Sequence, residues 1–350
     1  MRHARRPAVR LRLRMFQRLV LLFLALAPVL LAPAALPAQG RVIVDTIRSR
    51  ALQGNRIGDT PNREVFVYTP PSYDRTPNRR FPVLYLLHGF TSQPREWLDG
   101  TYQGLDLQQT MDSLWRVDAG EFLVVMPNAD NAMGGGFYVN SAAFGKWDDF
   151  VSQELVQYID ARYRTRTDRA SRGLAGQSMG GFGALYLAQT HANVFGTVYA
   201  MSPCCTGLIG ELAPDSDVWP YVRDSTTVPP PALAGRVRIA RAMTAAFGAP
   251  HDQPGAWSTF LPLDLLAKDA AGMRRSCAVV IEYGLDDAIA SVSLGARAFA
   301  DALARAKIPY RLDAFAGGHT DRTRQRFEQR VLPFFAQQFS GAAPNGNCTP

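Results

Sequence analysis

Cysteine is scarce in this chain, with four residues in 350, and the sequence has no C-x-x-C pair and no His-x-x-His spacing. That excludes a disulfide-held scaffold and leaves nothing that suggests zinc. No internal repeat is visible, and nothing in the composition suggests extended disorder. A basic footprint for nucleic acid is missing too. The formal charge is +8, but residues 1–38 hold seven arginines (2, 5, 6, 10, 12, 14 and 18) and neither lysine nor acid. Removing those seven leaves +1, so the remainder is nearly neutral. An apolar run of the ~20 residues that a spanning helix needs is also lacking. The run from Leu19 to about Ala32 is shorter and contains Pro28.

What is present at the N-terminus has the layout of a secretory signal peptide. An arginine-rich start precedes the apolar run, and small residues follow it, with cuts available at Ala32-Pro33-Ala34 or after Ala38. Residues 1–38 are therefore expected to be a signal peptide, and the protein to be secreted or periplasmic. An uncleaved anchor is the alternative. No cysteine follows the run, which argues against a lipid-anchored start.

The hydrophobic fraction of 47% supplies a core for one large α/β domain, expected over residues 39–340. "VIVDTIRSRALQ" and "REVFVYTPPSY" read as strands with no helix between them, which places them antiparallel at one edge. "FPVLYLLHGF", "EFLVVMPN", "RGLAG", "GTVYAMSP", "CAVVIEYG" and "YRLDAFAGG" are short apolar runs of the kind that form central parallel strands. Helix-like segments alternate with them, among them "KWDDFVSQELVQYIDARY", whose Trp147, Phe150, Val151, Leu155, Tyr158 and Ile159 share one face. The expectation is a mostly parallel sheet with helices on both faces. Residues 206–270, with "VPPPALAG", break the rhythm and read as an irregular insertion, a candidate partial lid. Residues 341–350 read as a loose tail.

The chemistry centres on Gly176-Gln177-Ser178-Met179-Gly180. Glycine and serine are common, so this G-x-S-x-G match is weak alone. Its context strengthens it: "RGLAG" supplies a strand, "QSM" a turn and "GGFGALYLAQ" a helix, the layout of a nucleophile elbow. A serine nucleophile needs a base held by a carboxylate. Downstream histidines are His191, at the remote end of the elbow's helix, His251, in the insertion, and His319, in a loop directly after a strand. His319 is the expected base. The acid is expected after the preceding strand, where "VVIEYGLDDAIA" offers Glu282 within the strand and Asp286 and Asp287 beyond it. Position does not choose between the two aspartates. The oxyanion donors are expected to be the amides of Met179 and, after "LLHG", of Phe90. His88 reads as a structural hydrogen-bonding residue.

The segments "FPVLYLLHGF", "GLAGQSMGGFGALYLA", "EYGLDD" and "GGHTD" resemble the esterase D family of α/β-hydrolases, from about Arg63 to Phe339. That family contains feruloyl esterases, S-formylglutathione hydrolases, enterochelin-esterase-like proteins and mycolyltransferase antigens. The resemblance implies the α/β-hydrolase fold and, through the family's Gly-x-x-Asp pattern carried onto Gly284-Leu285-Asp286-Asp287, selects Asp287 as the acid. "FYVNSAAFGKWDDFVSQEL" is similar to a family stretch lining the cleft, which makes Asn140, Ser141 and Trp147 candidate substrate contacts; packing alone also accounts for Trp147. The departure is 206–270, longer and richer in proline than in the family.

With strands so placed, Cys204 and Cys205 lie on the active face, while Cys277 begins a strand at the opposite face, toward which the last helix returns. A Cys277–Cys348 disulfide is expected in an oxidising compartment. The activity expected is carboxylic-ester hydrolysis with no metal or organic cofactor, on a small-molecule or carbohydrate-linked ester such as a feruloyl or acetyl ester. The alternatives are acyl transfer to a sugar hydroxyl and a non-catalytic binding protein on the same fold.

Overall fold

The computed structural model describes residues 39–115, 120–248, 255 and 257–341. The expected signal peptide, His251, Cys348 and the tail beyond residue 341 lie outside the described residues.

Each of the six short apolar runs from "FPVLYLLHGF" to "YRLDAFAGG" forms a strand. β1 (Arg41–Arg48), β2 (Asn62–Thr69), β3 (Val83–Leu87), β4 (Leu123–Pro127), β7 (Arg172–Gln177), β8 (Thr197–Met201), β9 (Ala278–Gly284) and β10 (Arg311–Phe315) make one eight-stranded sheet, ordered β1-β2-β4-β3-β7-β8-β9-β10. β1 pairs antiparallel with β2, and β2 with β4. From β4 to β10 all pairing is parallel. A two-residue ladder, β5 (Asn140–Ser141) with β6 (Gly145–Lys146), stands apart from it.

The central strands are buried along their length because both faces are covered, and β3 and β4 are apolar throughout. Val83, Tyr85 and Leu87 of β3 enter one core layer, and Leu84 and Leu86 enter the other. Such period-2 division is what a pleated strand imposes. The first layer is closed by the helical run Trp147–Asp149, Phe150–Leu155 and Val156–Arg162, by α3 (Met179–Thr190) and by α6 (Ala290–Arg305). The second is closed by α1 (Leu107–Trp115) and by the C-terminal run ending in α7 (Leu332–Phe339).

The insertion is more ordered than its prolines suggest. It holds a 17-residue helix, α4 (Pro231–Phe247), and the shorter α5 (Pro262–Lys268). Pro231 stands at the first helical position, where a missing N–H costs nothing. The proline run is thus a helix start rather than an irregular stretch. Val237, Ala240, Met243 and Phe247 of α4 are buried. Phe247 packs on Phe137 (5.9 Å between ring centres) and Phe182 (6.2 Å).

Candidate active site

β7 ends at Gln177 and α3 begins at Met179, so Ser178 alone makes the turn. Its φ of 57° and ψ of −114° lie outside the regions open to most side chains. The surroundings hold it there. Ser178 N–H donates to Met201 O (2.9 Å), and Ser178 O accepts from Phe182 N (2.9 Å) and Cys204 N (3.3 Å). The flanking glycines are required by close approach. A Cβ on Gly176 would run into the Gly180 carbonyl, and one on Gly180 into the Leu87 carbonyl of β3.

Ser178 lines a cleft of about 210 Å³ with Gly89, Phe90, Thr91, Ser92, Glu96, Tyr102, Gln177, His319 and Thr320. A Cβ on Gly89 would sit 3.5 Å from the Ser178 Cβ, which measures how closely the loop after β3 approaches the serine. The Met179 amide, first in α3, has no acceptor within its own helix. Both backbone segments expected to supply oxyanion donors therefore border Ser178.

His319 stands in the loop after β10. Its Nδ1 lies 2.7 Å from Asp287 Oδ2, and the Asp287 side chain is fully buried. Asp287 Oδ1 accepts from Ile289 N (2.9 Å), which fixes the carboxylate plane. The adjacent Asp286 instead accepts from Gly317 N (3.1 Å) and is exposed. With Nδ1–H directed to the carboxylate, Nε2 is the nitrogen left to accept a proton. Gln177 Nε2 also donates to His319 O (2.8 Å), tying the histidine loop to the residue before the serine.

The other titratable groups have structural partners. Glu282 is buried against Arg326 (Nε to Oε1, 2.7 Å) and Tyr199 (2.9 Å). Arg326 Nη2 reaches Gln177 Oε1 at 3.4 Å. His191 pairs with Asp148, which Tyr186 also bonds (3.0 Å), away from the cleft. His88 accepts from Ala129 N at Nε2 (2.8 Å) and bonds Gly89 O through Nδ1 (2.9 Å). Burial lowers its pKa to about 4, so it is a neutral structural residue.

Asn140, Ser141 and Trp147, the expected substrate contacts, are not brought to this cleft. Their hydrogen-bonding atoms and surfaces serve the local fold. Asn140 and Asp149 bond reciprocally (2.8 and 3.1 Å), and Ser141 Oγ accepts from Ala143 N and Phe144 N (3.1 Å each). Trp147 is buried against Phe150 and beneath the Arg63 guanidinium. A larger cavity of about 480 Å³, lined in part by Ser141, contains none of Ser178, Asp287 or His319. The cleft side chains given no role in the sequence reading are Thr91, Ser92, Glu96, Tyr102, Gln177 and Thr320. Most follow the "LLHGF" strand in polar loop sequence, which carries no spacing signal.

Among the described residues no group of three or more His, Cys, Asp or Glu could hold a metal ion, and no helix is long and apolar enough to cross a membrane. Cys204 and Cys205 are buried free thiols, and Cys277 is disulfide-bonded.

The chain matches the model of a family named Esterase, described as "Putative esterase", over residues 60–333. It is 36% identical over 157 residues to Esterase Rv1288 of Mycobacterium tuberculosis (strain H37Rv), a stretch that is 43% of this chain and 30% of that protein. The match thus spans under a third of the length of that curated relative. A solved ferulic acid esterase is similar at TM-score 0.64 and 26% identity, over 86% of this chain and 99% of the other. An S-formylglutathione hydrolase from Agrobacterium tumefaciens shares the fold at TM-score 0.62 and 20% identity, covering 86% of this chain and 96% of its own.

Proposed function

The chain belongs to the Esterase family of α/β-hydrolases, and on that premise we propose that it is an exported serine hydrolase acting on carboxylic esters through an acyl-enzyme. Ser178 attacks the ester carbonyl while His319 Nε2 takes its proton. The tetrahedral oxyanion is held by the Phe90 and Met179 amides. His319 then protonates the departing alcohol, which leaves the acyl group on Ser178. Water, deprotonated by the same nitrogen, releases the acid and restores the serine. Asp287 keeps the imidazole in the tautomer with Nε2 free and stabilises it once charged.

The observation that carries this reading is the buried Asp287 carboxylate, 2.7 Å from His319 Nδ1, beside the cleft that His319 shares with the strained Ser178. Likeness to a ferulic acid esterase supports aromatic or acetyl esters of carbohydrates as substrates. The signal-like N-terminus supports secretion or a periplasmic location, and so does the bonded state of Cys277, for which we propose Cys348 as partner.

The test uses a p-nitrophenyl ester series, methyl ferulate, and a fluorophosphonate probe whose adduct is mapped by peptide mass spectrometry. Turnover and labelling at Ser178, both lost in Ser178→Ala, are expected. Folded wild-type protein that neither turns over an ester nor labels at Ser178 would overturn the reading.

A further inference from the structure

The cleft holds one feature that the hydrolytic chemistry does not use. Glu96 lines it together with Ser178 and His319. A built relay stands behind this carboxylate. Ser92 Oγ bonds both Glu96 Oε2 and the Tyr102 hydroxyl. Ser92 has one proton, and a carboxylate can only accept, so Ser92 donates to Glu96 and accepts from Tyr102. Both relay residues are buried, and the Tyr102 ring stacks on the fully buried Trp97 at 4.3 Å. Burial, with the Glu96 charge adding to it, pushes the Tyr102 pKa up to about 12, so the phenol keeps its proton and the relay keeps its direction. The carboxylate is therefore held in place by groups that the triad does not require.

Among the described residues the cleft wall includes Glu96 and no lysine or arginine; His319, itself paired with Asp287, and the protonated Tyr102 are its other titratable side chains, and the Arg238 guanidinium lies 5.6 Å over the Phe90 ring. The position of Glu96 bears on one part of the substrate. The alcohol oxygen must reach His319 to collect its proton, so the alcohol portion occupies the cleft that His319, Thr320 and Glu96 line.

From this arrangement, and resting on the hydrolase reading above, we propose that Glu96 is a specificity-determining residue of an alcohol subsite. Its carboxylate accepts a hydrogen bond from a hydroxyl on the alcohol portion of the ester, so the cleft favours hydroxyl-bearing alcohols of the sugar type and disfavours alcohols that carry a negative charge. A hydroxyl donor gains a charge-assisted bond, whereas a second carboxylate in the same space meets like-charge repulsion.

The experiment uses four esters sharing the acyl group best accepted in the p-nitrophenyl series. Their alcohols are propanol, ethylene glycol, choline and 3-hydroxypropanoate. Values of kcat/KM are read by pH-stat at low salt. The wild type is expected to favour the ethylene glycol ester over the 3-hydroxypropanoate ester by roughly tenfold or more, and to favour both the ethylene glycol and choline esters over the propanol ester by roughly threefold. In Glu96→Gln, which keeps an acceptor for Ser92 but removes the charge, that ratio should fall to roughly twofold, and choline should lose its advantage over propanol. Raising salt toward ~0.5 M should narrow the wild-type ratio in the same direction, a reading that needs no variant. Equal ratios in wild type and Glu96→Gln would overturn the proposal, as would a wild-type ratio indifferent to salt. If Ser178→Ala kept full turnover of all four esters, the assignment of Ser178 as nucleophile would fail, and the subsite built around it would fail with it.

Discussion

Two adjacent aspartates follow β9, and their different surroundings separate their roles. Asp287 is buried and bonds His319; Asp286 is exposed and caps the Gly317 turn. Asp287→Asn should therefore lower kcat by roughly a thousandfold or more, since an amide cannot hold the imidazole in its useful tautomer. Asp286→Asn should cost less than about fivefold. Steady-state kinetics of both variants checks the ranking, and its reversal would move the acid to Asp286. His88 makes a prediction about stability instead. An unfolded histidine takes up a proton below its ordinary 6.5, whereas buried His88 does so only near 4. Between those values the unfolded chain binds more protons, so stability falls as pH falls through this window and levels off below it. The loss from this one group is on the order of 3 kcal/mol. Urea unfolding at steps from pH 7 to 4 should show that slope in the wild type and a flatter one in His88→Gln. Parallel slopes would assign the acid sensitivity elsewhere.

Glycines in two helices illustrate how the element decides what a residue costs. Gly180, in the first turn of α3, lies so close to β3 that a Cβ would meet the Leu87 carbonyl. Gly180→Ala should destabilise the fold by about 2–3 kcal/mol and cut turnover at least tenfold, because the elbow must shift to admit a methyl group. Gly235 lies inside α4 with nothing within 4 Å of its missing Cβ. Gly235→Ala should stabilise by about 0.5–1 kcal/mol through helix propensity alone. Thermal and chemical denaturation of the two variants should move in opposite directions; a stabilising Gly180→Ala would mean that the elbow is looser than its contacts indicate.

On the scale of the molecule, a buried ion pair adds to the apolar packing that joins the C-terminal helical run to the sheet. Arg326 and Glu282 are nearly inaccessible, and the same guanidinium reaches Gln177 beside the nucleophile. Arg326→Met leaves the buried carboxylate with only Tyr199 and the more distant Arg330 (4.0 Å) and should cost about 3 kcal/mol. Adding Glu282→Gln should recover a large part of that loss, since two neutral groups need less solvation than one poorly paired charge. Urea midpoints of the single and double variants measure the coupling, and strictly additive losses would argue against it.

These three scales separate what could be read early from what could not. The strands were legible because a strand covered on both faces is mostly apolar along its length, as "VLYLL" is. The elbow was legible because its requirements are local: small residues, a serine and a strand-to-helix change within one short run. Helix α4 was missed because three prolines resemble a loop until one of them is seen at the first helical position. Asp286 and Asp287 have the same chemistry in the same loop, and only the packing of β9 against the loop after β10 sets one of them under His319. The Tyr102–Ser92–Glu96 relay likewise has no signature of its own, because its meaning lies in facing Ser178 from far away in the chain. Sequence by itself determined the strand pattern, the turn at Ser178 and the residue types of the candidate site. Family resemblance pointed to Asp287, but the tertiary structure supplied the contacts by which it meets the histidine and alone decided which carboxylate lines the cleft, because contacts between distant segments leave no periodicity in the chain that makes them.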